Sequence, residues 1–207
     1  LAGSNGGYSD NHSYAHDPLH PDVLYIVNDN GIFRSLDFGA NFASIGSGMQ
    51  TLQFYNGFSN SSTDSMLALG QVQDHIPGYR YSGALAWTRP NGTDEVGWTA
   101  IDQSNDNIMY AIDRQGTNVF KSTTRGLTFS AAGSFSSLGA WNTPIVVSKS
   151  NPSFLFVGKS VVFRSTNAAA SWAATNSGAV LDGNPGLSMA MSATNPNIVF
   201  VGTAPYT

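Results

Sequence analysis

Cysteine is absent from this 207-residue sequence, and charged side chains are scarce. Without cysteine there can be neither a disulfide framework nor thiol chemistry. Charged residues make up 11% of the chain, with a net charge of −4 and no basic cluster. This balance argues against nucleic acid or an anionic membrane surface as a partner, because both bind through clustered lysine and arginine. Lysine and glutamate, which favour helices, number only three and one.

Long apolar runs are missing as well. No segment approaches the roughly 18 to 20 apolar residues that cross a bilayer, and no secretory signal peptide is recognisable. Glycine, serine, asparagine and threonine supply the surface in place of charge. We therefore expect a secreted or cell-surface protein of bacterial origin, with no membrane span and no cofactor.

What the chain has instead is a repeat. Ser35, Ser122 and Ser165 each follow an aromatic residue and a base, as in Phe33-Arg34. Ser165 lies 43 residues after Ser122, and Ser122 lies 87 residues after Ser35, about twice that interval. A fixed period in the low forties, with short apolar strands between turn residues, is typical of the four-stranded blades of a β-propeller. The predicted fold class is therefore all-β, a propeller of antiparallel blades.

The segment that begins at the first of these serines has the order Ser-x-Asp-x-Gly-x-x-aromatic. This order resembles the Asp-box, or bacterial neuraminidase repeat, of sialidases, sortilin-type receptors and family 74 xyloglucanases. In such a turn the Asp side chain accepts backbone N–H groups, and the aromatic residue anchors the next strand. The box is structural in those families and lies away from the substrate, so the resemblance implies a turn-stabilising role. The matching residues in the three copies are Ser35, Asp37, Gly39, Phe42, Ser122, Gly126, Phe129, Ser165, Asn167 and Trp172.

Other phrases of the sequence extend this resemblance over nearly the whole chain. Residues 28–35 (Asn-Asp-Asn-Gly-Ile-Phe-Arg-Ser) and residues 51–55 (Thr-Leu-Gln-Phe-Tyr) look like phrases of bacterial sortilin-like and xyloglucanase-like propellers, as does Gln73-Asp74. Two departures stand out. Asn30 replaces the first glycine of a Gly-Gly pair, and residues 75–76 (His-Ile) replace the Asn-Gly that follows the aspartate.

We expect one incomplete propeller domain over residues 1–207, with about four and a half blades. Because a blade buries its faces only against neighbouring blades, this number predicts part of a ring of seven or more blades. Further blades would come from the same chain or from another one. The expected blades are residues 11–46, 51–90, 97–133, 141–176 and the partial blade 187–207.

Asp29 is the candidate catalytic residue, because it resembles a family 74 catalytic aspartate that precedes a glycine turn. Glycosidases need two carboxylates that flank the scissile bond, and the family's second one comes from a second propeller that this sequence does not contain. Asp113 occupies the equivalent place in another blade, which favours a repeat-structural origin for both residues. Sialidase activity is not expected, because Arg34 and Arg164 occupy a single repeat position and do not form a converging arginine cluster.

Asp74, Tyr55 and Trp98 are the candidate ligand-facing residues. Aromatic rings stack on sugars, although most large aromatic residues in a propeller pack between blades. His12 and His16 are weak metal candidates, because strand positions four apart face the same side and zinc accepts histidine. The alternative is a polar inner strand, and we expect no metal site.

The sequence as a whole favours a non-catalytic extracellular scaffold that binds protein or glycan. One alternative is a glycoside hydrolase of the family 74 type that acts on β-glucans, and it depends on Asp29. Another alternative is a structural subunit of an extracellular assembly. The degraded turn motifs, the missing second carboxylate and the low charge place the hydrolase second.

Overall fold

In the computed structural model of the protein, the regular elements of the described residues are β-strands and two single-turn 3-10 segments, Arg114–Gly116 and Asn176–Gly178. The structure describes residues 10–49, 53–55, 58–74, 77–83 and 87–205. The chain divides into two compact units, residues 1–52 and 53–207. The predicted all-β class is confirmed.

The described residues of the first unit form a four-stranded antiparallel sheet, in which consecutive strands are neighbours. Ile26 pairs with Phe33 at its centre, and both side chains are buried. A register shift between Asn11 and Ser13 makes a bulge at the start of the first strand. The strands are β1 Asn11–His16, β2 Leu24–Asn28, β3 Gly31–Ser35 and β4 Ala43–Ser44.

The second unit contains four further antiparallel sheets among the described residues, again built from consecutive strands. Two of these sheets have four strands, one has three and one has two. Their strands are β5 Ser59–Asn60, β6 Leu67–Gly70 and β7 Tyr79–Ser82; β8 Thr99–Ile101, β9 Met109–Ile112, β10 Asn118–Ser122 and β11 Ser130–Ser134; β12 Ile145–Val147, β13 Leu155–Gly158, β14 Val162–Ser165 and β15 Ala173–Ala174; β16 Gly186–Met191 and β17 Val199–Thr203.

Within this second unit the sheets stand side by side along their first strands. β5 contacts β8, β8 contacts β12, and β12 contacts β16. The later strands of each sheet follow outward in sequence order. This is the blade arrangement of a propeller, in which the first strand of each blade is the innermost.

The core lies between successive sheets, because alternate side chains of a strand point to opposite faces. In β9, Met109 packs with Leu67 of the preceding sheet, whereas Tyr110 packs with Leu155 of the following sheet. Phe156 continues the series, since it packs with Met189 of the two-stranded sheet. Strands buried on both faces explain why the sequence shows continuous apolar runs at these places.

The second and third blades have irregular parts. The second blade opens with β5, and Phe54 before it forms a bridge to Val72. Residues 51, 52, 56 and 57 of the predicted blade lie outside the described set. Residues 75–76 and 84–86 are also outside that set. The outer strand of the third blade starts at Ser130, because Thr128 still belongs to the turn before it and donates its N–H to Thr124.

Candidate functional site

Three turns of identical geometry follow the third strands β3, β10 and β14. We call residues 35–42, 122–129 and 165–172 the serine turns. Ser35, Ser122 and Ser165 are at most 1% exposed. Each serine Oγ accepts the backbone N–H groups two and four residues later, at 3.2 and 2.8 Å, 3.1 and 3.0 Å, and 3.3 and 2.9 Å in chain order.

The second element that recurs in each serine turn is an acceptor two residues after the serine. Asp37 accepts the backbone N–H of Asn41 at 2.9 Å and its side-chain amide at 2.7 Å. These bonds, together with that from the Ser35 hydroxyl, lower the pKa of Asp37 to about 2. Thr124 and Asn167 accept the corresponding backbone N–H in the other turns, at 3.0 and 2.9 Å. A hydroxyl or amide oxygen therefore replaces the carboxylate without loss of the turn.

The turns also share a pair of left-handed residues, which explains the glycine preference. The pairs have φ values of 57° and 85°, 57° and 74°, and 56° and 67°. The N–H of the first residue of each pair donates to the loop between the first two strands of the same sheet. These bonds are Phe38 to Asp22, Arg125 to Asn107 and Ala168 to Ser153, at 2.9, 3.1 and 2.9 Å.

Serine turns also join neighbouring sheets of the second unit. Arg80 Nε donates to the carbonyl of Arg125 at 2.6 Å, and Lys121 Nζ donates to the carbonyl of Ala168 at 2.7 Å. In both cases a base on the third strand of one sheet reaches the serine turn of the next sheet. We call these contacts the base–carbonyl bonds.

The aromatic residues at the ends of the serine turns pack inward. Phe129 is 7% exposed in the core between the second and third blades. Trp172 donates its Nε1–H to the carbonyl of Ala132 at 2.7 Å and lies edge-on to Phe135 with ring centres 5.3 Å apart. Phe42 is half-buried and lies against Gly39. These side chains are therefore engaged in packing.

Asp29 lies in the turn between β2 and β3. Its Oδ1 is hydrogen-bonded to His12 Nε2, and this bond raises the pKa of the His12 imidazole. The bulge in β1 lies at His12, so the simple alternation that would pair it with His16 is interrupted there. Within the described residues no group of three or more histidine, aspartate or glutamate side chains is arranged to hold a metal ion.

By strand register, the repeat position that Gln71, Asp113 and Lys159 share is held in the first sheet by Asn28, because each lies four residues after the partner of the serine that ends the third strand. All four are buried, and Asp29 lies one residue beyond this position. Gln71 donates to the carbonyls of Gly97 and Ile112 at 2.8 and 2.7 Å. Asp113 is buried, which raises its pKa, and it accepts two bonds from the Asn118 backbone and side chain at 2.8 and 2.7 Å.

Lys159 is 2% exposed, and its Nζ donates to the carbonyls of Gln115 and Gly116 at 2.9 and 2.8 Å. Burial lowers its pKa to about 8, although the charge of Asp113 acts in the opposite direction. At this position the repeat therefore supplies amide, carboxylate or ammonium groups that hold loops and neighbouring sheets.

A groove of about 550 Å³ runs across the first strands β5, β8 and β12 of the second unit. We call it the inner-strand groove. It is lined by Phe58, Ser59, Asn60, Ser62, residues 97–101, Gln103, residues 145–147 and Lys149.

Hydrogen bonds fix the polar wall of the inner-strand groove. Thr99 Oγ1 donates to the Leu69 carbonyl at 2.9 Å, and Ser59 Oγ donates to the Thr99 carbonyl at 2.6 Å. Gln103 Nε2 donates to the carbonyls of Asn60 and Ile101, both at 3.1 Å. The groove is thus held by contacts between sheets rather than by one loop.

Only one of the predicted ligand-facing residues, Trp98, is among the residues that line this groove. Its ring is half-buried against the core, and its buried Nε1–H has no acceptor among the described residues. Tyr55 and Asp74 do not belong to that lining. Asp74 instead donates its backbone N–H to Glu95 at 2.7 Å, and Glu95 forms an ion pair with Arg114 at 2.8 Å.

A second cavity, of about 630 Å³, lies at the outer side of the third and fourth blades. Lys121 and Trp172 line it, and both are already engaged in contacts between the sheets.

Sequence reasoning missed Phe58, Gln103 and Lys149. They come from three different sheets, and none has a counterpart in the serine-turn motif. Their position in the sequence could have marked them as candidates, because all three lie next to the first strands, which are innermost in a propeller.

No family model and no curated protein matches this sequence. Among solved structures, the family 74 glycoside hydrolase of Niastella koreensis is similar, with 20% identity and a TM-score of 0.50 over 80% of this chain and 24% of that one. Sqt1 from Chaetomium thermophilum has 15% identity and a TM-score of 0.52, over 95% of this chain and 56% of that one. The chain thus spans about a quarter of the first protein and just over half of the second.

At these identities the likeness concerns the fold alone, and that fold is the β-propeller. Together with the side-by-side antiparallel sheets, it confirms the predicted fold class, a partial propeller. Across the described part of the chain, no helix has the length and apolar character needed to cross a bilayer.

Proposed function

We propose that this protein is an extracellular binding scaffold whose ligand is a neutral glycan held in the inner-strand groove. The observation that carries the proposal is the chemistry of the described lining. Phe58 and Trp98 contribute rings, Asn60 and Gln103 contribute amides, and Lys149 is the one charged side chain among the described lining residues.

This lining suits a sugar better than a strongly charged ligand. Sugar rings present apolar C–H faces that pack on aromatic rings, and their hydroxyls exchange hydrogen bonds with amides and serine or threonine hydroxyls. Phe58 is 54% exposed and is steadied by Phe54 and Trp87, whose ring centres lie 5.7 and 5.9 Å away. A volume of about 550 Å³ is within the usual range for small-ligand sites.

A hydrolase of the family 74 type is the less favoured alternative. The described lining of the groove contains no carboxylate, whereas glycoside hydrolysis requires two. Asp29, the residue on which that alternative depends, is bonded to His12. We propose that Asp29 supports its turn, as Asp113 supports the equivalent turn by binding Asn118.

We further propose that the serine turns are Asp-boxes with structural duties only. Their side chains are engaged in bonds within the turn, as with Ser122, Thr124 and Thr128. We therefore place the ligand at the inner strands and not at the turns.

Affinity electrophoresis in gels that contain xyloglucan, mixed-linkage β-glucan or a sialoside polymer tests the proposal. We expect retardation by at least one neutral glucan and about tenfold weaker binding for Phe58→Ser, since a stacked ring contributes on the order of 1–2 kcal/mol. Leu127→Ser is the matched control, because Leu127 is similarly exposed, at 56%, in a serine turn. Absence of retardation by every glycan, or equal weakening in the control, would refute the glycan assignment.

The same polysaccharides distinguish scaffold from hydrolase. We expect no new reducing ends after prolonged incubation. Reducing ends that disappear in Asp29→Ala would establish the hydrolase instead.

A further inference from the structure

The two-stranded sheet β16–β17 has one covered and one uncovered apolar face. Met189, Val199 and Val201 pack toward Phe156 of the preceding sheet. Phe200, on the opposite face, is 70% exposed, and Ile198 next to the strand is 45% exposed. The described residues place β16 along one edge of β17 and no strand along the other. This face and edge do not depend on the proposed glycan site.

The strand pairing in three other sheets indicates which type of residue belongs opposite Phe200. The aromatic residue of the second strand is paired with the base of the third strand in each of three sheets. The pairs are Tyr25 with Arg34, Tyr110 with Lys121 and Phe156 with Arg164. Lys121 Nζ lies 5.8 Å from the centre of the Tyr110 ring, within cation–π range.

Phe200 has the place of these aromatic residues in β17. The sequence Phe-Val-Gly at residues 156–158 recurs at 200–202, and each segment is paired with the first strand of its own sheet. A lysine or arginine opposite Phe200 would lay its apolar stem over the ring and keep its charge in water.

Arg164 is independent evidence that a third strand and its turn belong next to β17. Arg80 and Lys121 each donate to the serine turn of the following sheet, in the two base–carbonyl bonds at 2.6 and 2.7 Å. Arg164 follows a phenylalanine and precedes a serine, as Lys121 does. It is exposed, and no hydrogen bond or ion pair joins it to the described residues. The acceptor expected for Arg164 is a backbone carbonyl in the serine turn that follows a strand paired with β17.

We infer that the free edge of β17 binds one further strand–turn segment of this repeat type as a partner. Its strand has the order aliphatic–Phe–base–Ser shared by residues 32–35, 119–122 and 162–165. The base lies opposite Phe200, the Phe opposite Val201 and the Ser opposite Val199. The serine turn that follows accepts a hydrogen bond from Arg164.

A peptide of residues 28–45 of this sequence is the probe, because it holds the strand and the most complete serine turn. It is titrated into the isotopically labelled 207-residue chain, and amide chemical shifts are followed by NMR. We expect saturable shifts in Val199–Thr203. A peptide with Phe33→Ser and Arg34→Ser should produce none.

Two variants of the chain identify the contacts. Phe200→Ser should weaken peptide binding by about tenfold, and Arg164→Met by about threefold to tenfold, in line with the loss of one aromatic contact or one charge-assisted bond. Both side chains are exposed, so far-UV circular dichroism should be unchanged. Phe38→Ser, at a residue 68% exposed in the first serine turn, and Arg34→Met are the matched controls and should bind like the wild type.

Three results would overturn the inference. The first is an absence of shifts in β17, and the second is equal binding by Phe200→Ser and Phe38→Ser. The third is a concentration-dependent dimer in sedimentation experiments whose shifted amides are those of β17, because that edge would then belong to a second copy of the chain.

Discussion

Replacing Ser122 with alanine is the sharpest test of the serine turns. Ser122 is completely buried, and its Oγ accepts the N–H groups of Thr124 and Gly126. Water can reach the exposed Thr124, but Gly126 is buried. Ser122→Ala therefore leaves at least one buried donor unpaired, at a cost of about 1–3 kcal/mol in the free energy of unfolding.

Urea unfolding followed by tryptophan fluorescence measures this cost. A loss of about 2 kcal/mol corresponds to a fall in Tm of about 4–8 °C for a chain of this size, and the m-value should stay constant because the surface exposed on unfolding is the same. Ser130→Ala, at an exposed position of the adjacent β11, is the matched control. A loss below about 0.5 kcal/mol, the usual size for a surface substitution, would refute the argument.

Three pH-dependent predictions follow from the hydrogen-bonding groups. The pKa of Asp37 is depressed to about 2. Its contribution to stability is therefore present above the ordinary carboxyl pKa and disappears as the pH falls toward 2. A carboxyl 13C NMR titration measures this pKa, and a midpoint near 3.8 would contradict the turn geometry. Lys159 has a pKa of about 8 in the folded protein against an ordinary value of 10.5, so the unfolded chain binds more protons between these two pH values. The wild type should therefore gain stability relative to Lys159→Met as the pH rises from 8 to 10.5. An equal dependence of stability on pH in the two proteins would exclude the buried ammonium. Asp29→Asn should return the raised pKa of His12 toward 6.5, as read from the imidazole proton shifts, and an unchanged titration would show that the contact is not formed.

The serine turns could be predicted from the sequence because their stabilising bonds are local. Each bond joins residues two to four positions apart, as between Ser165 and Ala169, so a short motif carries all the chemistry. The strands could be predicted for a different reason. Runs such as residues 109–112 are apolar on both faces because neighbouring sheets cover both.

The inner-strand groove could not be predicted in the same way. Phe58, Gln103 and Lys149 lie next to the first strands of three sheets and meet only when the sheets stand side by side. No spacing in the sequence marks them, since the first strands of the blades vary more than the turns. The burial of Lys159 could not be predicted from the sequence for another reason. Its repeat position is held by aspartate or glutamine in other blades, so no single residue type identifies the role.

The central claim is that a glycan lies across β5, β8 and β12, and amide chemical-shift mapping tests it most directly. An oligosaccharide of the glucan that retards the protein best in gels is titrated into the labelled chain. The account predicts saturable shifts concentrated in residues 58–62, 97–103 and 145–149, with the serine turns unchanged. Shifts confined to the turns or to the loop at Asp29 would contradict it.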